Sequence, residues 1–421
     1  MSEVRVGRPG RLGRDFGWLW AAFAVSSAGT MLAFDAFALI AVTVLHSSPA
    51  RVSFLSAAGI AAGALFAVPL GPWVEFRRKR PVMIAADLVR CAALLTLPLA
   101  YALHTLGYAQ LVLVSVVVAT ADIVFRAASG AHLKALVPQE GLMVASARFE
   151  STTWTTTALG PPLGGAAIGL FGPLTTVAGD AASYLLSALG VHRIRRPEPA
   201  PPVAASNRLT RADILEGWRH LWRTPHLRAL FLNSTLVNGL IMVGAPLMAV
   251  LMLRELGFPA WEYGLAYGIP CVGGLIGSRL SSRLVRRYGE RRVLRWSGTA
   301  RVCWPVGLAF TGTGTGGLLT VMAVELGLIT CIGVYSPVLA KERLQHTDTD
   351  RLARVLSAWT VTGRAVTATL TLAWGALASL IGTRPALAVA GVLLLFTPAL
   401  LPTAPRDPLP QGTPRAESSG T

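Results

Sequence analysis

Asp35, Asp122, Arg126 and Glu325 are the side chains of this sequence best placed for chemistry, because each is set inside a long apolar run. An ionisable group in such surroundings costs about 2.5–3.5 kcal/mol on membrane-insertion scales and marks a functional site by default. Asp122 and Arg126 are four residues apart, so on a helix they share a face and can pair. Asp35 and Glu325 have no such partner within their own segments. A carboxylate that passes between charged and neutral forms in an apolar site suits a proton carrier, and both are candidates for that role. The competing reading is a helix–helix ion pair, for instance Glu325 with Arg301 or with Arg364, itself a cationic candidate for a cavity wall. Asp87 and Arg90, three residues apart, read as a structural pair, and Asp180 as helix packing. Asn233 and Asn238 can hydrogen-bond a ligand or a neighbouring helix. Trp154, with threonines on either side, offers an aromatic and hydroxyl wall to a bulky ligand, or packs.

Patterns of soluble catalysis do not appear. Gly312-Thr-Gly-Thr-Gly-Gly317 alternates glycines, but no strand pattern precedes it and no phosphate-binding lysine follows. Neither His-Glu-x-x-His nor Cys-x-x-Cys occurs, and the seven histidines are scattered. Cys91, Cys271, Cys303 and Cys331 all fall in apolar runs, which points to buried thiols and away from a disulfide framework or a metal cluster. The expectation is a protein that is no enzyme and holds no cofactor and no metal.

The elements that position these residues follow from composition. Of 421 residues, 53% are hydrophobic and 14% charged, and the mean hydropathy is +0.54. A soluble domain carries about 25% charge. Apolar runs long enough to cross a hydrocarbon core of about 30 Å recur near 16–45, 52–74, 81–103, 109–131, 145–170, 172–191, 228–253, 261–284, 293–311, 316–340, 353–380 and 383–402. The sequence therefore predicts an all-α membrane protein of twelve spans. It divides into a tail at 1–15, a six-helix bundle at 16–191, a linker at 192–227, a second bundle at 228–402 and a tail at 403–421.

The formal net charge of +17 would suggest nucleic acid in a soluble protein. Here the cations gather on one side. With the N-terminus in the cytoplasm, Arg77, Arg78, Lys79 and Arg80, the linker arginines, and Arg283, Arg286 and Arg287 all fall inside, while the outer loops hold only Arg51, Arg254 and Arg384. That asymmetry is the positive-inside pattern, so both termini are expected in the cytoplasm and no nucleic acid is expected. Within the linker Ile214, Trp218, Leu221 and Trp222 share one helical face, which predicts an amphipathic helix on the inner leaflet that fastens the halves together. The halves also repeat: Gly71 and its basic cluster have an echo in Gly277 and Arg283, and Arg90-Cys91 has one in Arg301 and Cys303. Two six-helix halves in the same orientation are a transporter architecture.

Five stretches resemble the major facilitator superfamily, and more closely its bacterial exporter branch, which includes the enterobactin exporter and macrolide-efflux permeases. They are Gly71-Pro-Trp-Val-Glu75-Phe-Arg77-Arg78-Lys79-Arg80, Asp87-Leu-Val-Arg90, Ala135-Leu-Val-Pro138, Gly160-Pro-Pro-Leu-Gly-Gly165, and Asp180-Ala-Ala-Ser-Tyr-Leu-Leu-Ser187 running into Arg193-Ile-Arg-Arg-Pro-Glu-Pro199. Two positions depart from the family pattern. Glu75-Phe76 stands where the loop signature has Asp then Arg, and Thr156 stands where the antiporter motif has an upstream glycine.

The resemblance implies that spans 1, 4, 7 and 10 line a central cavity. It also implies that Gly71, Glu75, Arg77, Arg78 and Arg80 form a gating loop that ties helix ends together in one conformation. It implies export of an amphipathic small molecule, a drug or natural product, across a bacterial plasma membrane by alternating access and proton antiport. The partners expected are that small molecule, protons and the lipid bilayer, with a monomer as the working unit. A siderophore exporter, an uptake permease and a non-transporting receptor are the alternatives.

Overall fold

The computed structural model describes residues 13–33, 35–198, 211–347 and 352–402. The tail at 403–421, most of the one at 1–15 and the centre of the linker lie outside them. Among the described residues there is no strand; the chain runs back and forth as twelve rods with one extra helix between the sixth and seventh. The first half comprises α1 (Arg14–Leu32, continuing beyond a break to Val44), α2 (Pro49–Glu75), α3 (Lys79–Ala102), α4 (Tyr108–Leu136), α5 (Gln139–Phe171) and α6 (Pro173–His192). The linker holds α7 (Arg211–Arg223). The second half comprises α8 (Pro225–Glu255), α9 (260–288), α10 (290–310), α11 (Gly314–Gln345), α12 (Leu352–Ile381) and α13 (Thr383–Leu400). The side on which α6 ends and α7 lies is the linker side; the other is the far side.

Every predicted span is a rod, with ends displaced by a few residues. The largest differences are at α4, α5 and α11, where polar residues carry the helix past the apolar run on the linker side. Nine rods among the described residues are long and apolar enough to cross a bilayer by composition alone. The other three are α5, α9 and α10. Hydroxyls dilute the middle of α5, arginines crowd the linker-side end of α9 and the start of α10, and α9 narrows to a tighter turn at Ile269–Cys271. The outward faces carry large apolar side chains such as Leu170 (78% exposed) and Leu380 (83%), the surface a bilayer covers.

The internal repeat is realised atom by atom. α1 ends in a π-helical turn at Ile40–Val44, and α8 ends in one at Leu251–Glu255, 211 residues later. Each closes with the same backbone bonds, Leu45 N to Ile40 O and Ser47 N to Ala41 O in one, Leu256 N to Leu251 O and Phe258 N to Met252 O in the other. Each then needs a left-handed residue, which is His46 (φ 46°) in the first half and Gly257 (φ 72°) in the second. The arginine echo is structural too. Arg90 lies over the Phe125 ring at 4.8 Å, and Arg301 over Tyr335 at 3.6 Å, again about 210 residues apart.

The halves meet along two seams, α2 against α12 and α5 against α9. The linker helix docks on the second half: Gly217 lies against the Arg354 backbone, Leu221 is buried, and the Trp218 indole donates to Thr362 Oγ1 (2.8 Å). Trp222 is 51% exposed and is the residue of that face left for the bilayer surface. The Ile214 side chain lies outside those described.

The turn after α8 generates a prediction. A Cβ at Gly257 would meet nothing within 4 Å, so only backbone strain opposes one. Gly257→Ala is expected to destabilise the fold by about 1–2 kcal/mol, and His46→Gly to stabilise it, read as opposite shifts of the thermal unfolding midpoint in detergent.

Candidate functional site

A cavity of about 400 Å³ lies within the second half, lined by α8, α9, α10, α11 and α13, and is bordered by Met31, Asp35 and Thr157 of the first half. Asp35 and Glu325, the two expected proton carriers, both line it. Its other walls are apolar, with Leu240, Ile241, Leu328 and Ile329 among them.

Asp35 owes its position to a break. Its backbone is left-handed (φ 53°), a conformation that Asp tolerates better than most residues. α1 stops before it and a short helix restarts at Ala36. The carboxylate is thereby turned across the seam, where Tyr263 of α9 donates a hydrogen bond to Oδ2 at 2.6 Å. Tyr267, one turn further along α9, stacks obliquely on Tyr263 at 5.1 Å and lines the cavity. Glu325 is 8% exposed, and its described surroundings contain neither expected ion pair. Arg301 points elsewhere, and Arg364 is exposed beside Gly63 of α2.

Glycines set how closely the helices approach this point. In α5 a Cβ at Gly160 would fall 2.3 Å from Met31 Cβ, and one at Gly164 would fall 2.2 Å from the Leu32 carbonyl. One at Gly165 would fall 2.5 Å from the Gly264 Cα of the other half. The run that resembles the antiporter motif therefore seats α5 on the break in α1 and on α9 together. Gly375 of α12 does the same for α2, its Cβ position being 2.3 Å from Ser53 Cβ. Arg254 adds a bond across the far-side mouth, donating to the Ser47 carbonyl at 3.1 Å. The conformer is closed on the far side.

The polar groups of the first half form one chain. Arg90 bonds Asp87, reaches Asp122 Oδ1 at 3.3 Å and lies over Tyr184 at 4.1 Å; Arg126 Nε donates to Asp122 Oδ2 at 2.7 Å. Tyr184 shares a 2.8 Å bond with Thr30. The two pairs expected separately are thus one neutral network, and Asp122 and Arg126 line a small recess with Thr153, Thr156 and Thr157. Met31 and Thr157 belong to both that recess and the main cavity. Asp180 is buried on the α1–α6 contact, accepting from Ser183 at 3.2 Å beside Gly29.

Other candidates are separated by the geometry. Asn233 is 0% exposed and occupied at both ends: Nδ2 donates to the Thr397 carbonyl (2.8 Å) and Oδ1 accepts from Arg301 (2.8 Å). It binds helix to helix inside the second half, away from the cavity. Asn238 is exposed and stands one turn from Ile241 and Met242 of the cavity wall. The Trp154, Gly71 and Glu75 side chains lie outside those described. Of the gating-loop residues, Arg77 stacks on Trp73 at 5.5 Å, and Arg80 donates to the His192 carbonyl. The acid described here is Glu198, which accepts from the Lys79 and Arg80 amides at the start of α3, where an anion is stabilised by the helix terminus. A larger groove of about 840 Å³ lies among α2, α3 and α4, apolar but for Arg77, Arg78 and Thr120, and holds neither cavity carboxylate. The cysteines are free; Cys91 alone is buried as expected, whereas Cys271 and Cys331 are half-buried and Cys303 is exposed.

No local pattern in the sequence singles out Tyr263, since it is 228 residues from the group it bonds. The removal of its hydroxyl tests the seam. Tyr263→Phe is expected to weaken far-side closure by about 1.5–3 kcal/mol, the range for a hydrogen bond to a charged group. The readout is faster labelling of Ser53→Cys, in a background without the native cysteines, by a membrane-impermeant thiol reagent.

A duplicated bundle of membrane-crossing helices, two six-helix halves in the same orientation, is the architecture of a secondary transporter, not of an enzyme. The chain belongs to the Major Facilitator Superfamily, whose family model matches residues 19–364. Over 135 residues it is 29% identical to the multidrug efflux pump Tap of Mycolicibacterium fortuitum, a match that spans 32% of each chain. The nucleoside transporter NupG superimposes with a TM-score of 0.74 at 12% identity, covering 93% of this chain and 100% of that one. An inward-facing bacterial homologue of the iron transporter ferroportin gives 0.72 at 17%, covering 92% and 98%. An inward-facing, occupied bacterial homologue of the lysosomal transporter Spinster gives 0.73 at 14%, covering 91% and 96%.

Proposed function

We propose that the protein exports an amphipathic, cationic small molecule in exchange for protons, with Asp35 and Glu325 as the shared binding groups. The observation that carries this reading is that both carboxylates line one largely apolar cavity of the second half, Asp35 reaching it across the seam. Without protons the pair presents two negative charges to a site whose remaining surface is hydrocarbon-like, which favours a cation with an apolar body. With protons the charges are gone and so is the attraction, so cargo and protons alternate at one place. The likeness to the efflux pump Tap supports the outward direction. The distribution of arginines supports a plasma membrane with both termini in the cytoplasm, which makes the far side external and this conformer inward-facing. The working unit is taken as a monomer.

A siderophore cargo is less well supported, because an anion needs free positive charge. Arg126 is paired with Asp122, and Arg301 is buried on Tyr335 with its Nη2 on Asn233. Arg364 alone of the three is exposed and unpaired among the described residues.

Purified protein titrated with tetraphenylphosphonium in weak buffer is expected to release protons, and Asp35→Asn or Glu325→Gln to abolish part or all of that release. Binding without release in any variant would sink the exchange. The seam makes a second prediction. Gly165→Ala puts a Cβ 2.5 Å from backbone that cannot yield as a side chain can. Pulsed-EPR distances across the far-side mouth are expected to lengthen, and unchanged distances would show that α5 and α9 need not touch for closure.

A further inference from the structure

The linker-side end of the second half holds a group of side chains that the transport reading does not use. His226 stands in the first turn of α8, and Glu342 and His346 stand one helical turn apart at the end of α11. Glu342 is buried, and its described ion-pair partners are the two histidines: His226 Nε2 at 2.8 Å and His346 Nδ1 at 3.5 Å from Oε2. The imidazole rings are stacked with centroids 4.4 Å apart. One nitrogen from each ring and a carboxylate oxygen all lie within 4.8 Å of one another.

We propose that His226, Glu342 and His346 form a site for a divalent transition ion of the zinc type. Ligand bonds of about 2.0–2.1 Å in a tetrahedron put ligand atoms roughly 3.3–3.4 Å apart. The separations of 2.8 and 3.5 Å bracket that edge. Binding turns His346 Nδ1 from the Glu342 carbonyl, now 2.9 Å away, toward the ion. A cavity of about 680 Å³ beside the group leaves a fourth position open to water.

The surroundings select the class of ion. Arg291, Arg292 and Arg295 line the same cavity, while Glu290 is engaged by Lys341. A hard cation such as Ca²⁺ or Mg²⁺, held by charge on oxygen ligands, gains little from one carboxylate facing three arginines. The same field opposes Zn²⁺ or Co²⁺, but these ions gain in addition from two neutral imidazole nitrogens, ligands that a hard cation uses poorly. His220 of α7, whose Nε2 is 3.4 Å from the His346 carbonyl, stands beside the site without offering it a ligand atom. A bound ion would staple α8 to α11, and both helices line the cavity that holds Glu325.

The test uses the full chain, purified on a histidine-free tag and stripped with EDTA. Co²⁺ titration is expected to give the visible absorption of a tetrahedral site, saturating at one equivalent and bleached by Zn²⁺. His226→Gln and His346→Gln are each expected to weaken binding by at least about tenfold, and His220→Gln to leave it unchanged. Should a variant fold poorly, the wild type carries the test: Zn²⁺ should raise its thermal unfolding midpoint, and Glu342→Gln should remove the rise. No saturable Co²⁺ binding, or binding that survives the loss of both histidines, overturns the site.

Discussion

A carboxylate buried among apolar helices is costly unless a polar partner is supplied, and the way Asp35 gains one organises this protein. That partner is a phenol from the opposite half, which Asp35 reaches only because α1 breaks and turns left-handed at that residue. The bond makes the state of one side chain depend on whether the two halves are together. Glu325 faces the same space from α11, so the seam, the cavity and the two acids are parts of one arrangement. On the proposed function, protonation there would change both what the cavity attracts and what holds its far side shut.

Duplication supplied the frame, and divergence supplied the working parts. Both halves retain the π turn and the arginine laid over an aromatic ring. What surrounds the arginine differs. Arg90 sits among Asp87 and Asp122 in a balanced ionic chain, whereas Arg301 is met by the amide of Asn233. Both solutions engage a terminal nitrogen of the buried guanidinium and lay it on an aromatic ring, while Nε of each is left without a hydrogen-bond partner among the described residues. The net acidity of the cavity comes from Asp35 and Glu325.

The span pattern was legible because hydropathy is a local property, and each of the twelve runs appears as a rod. The halves were legible through Arg90 and Arg301, whose echo survives in three dimensions. Asp35 and Glu325 stood out because charge inside apolar sequence is conspicuous. What spacing could not reveal was partnership between distant helices. Asn233 reads along its own helix as an amide for a ligand or for a neighbouring helix, and only the groups 68 and 164 residues away that occupy both its ends decide for the helix. Tyr263 looks like one more packing aromatic until α1 is set beside α9. Glu198 was part of a recognisable stretch, but its job at the start of α3 depends on the chain returning from α6.

The contact between Gly165 and Gly264 is made by main chain on main chain. Closure at that point carries no side-chain signature that a change of cargo would have to preserve. The cavity walls contributed by α8, α10, α11 and α13 can be redrawn residue by residue while this contact stays as it is. Recognition and motion are in that sense separately inherited properties of this chain: one is written in side chains and open to variation, the other in the absence of them.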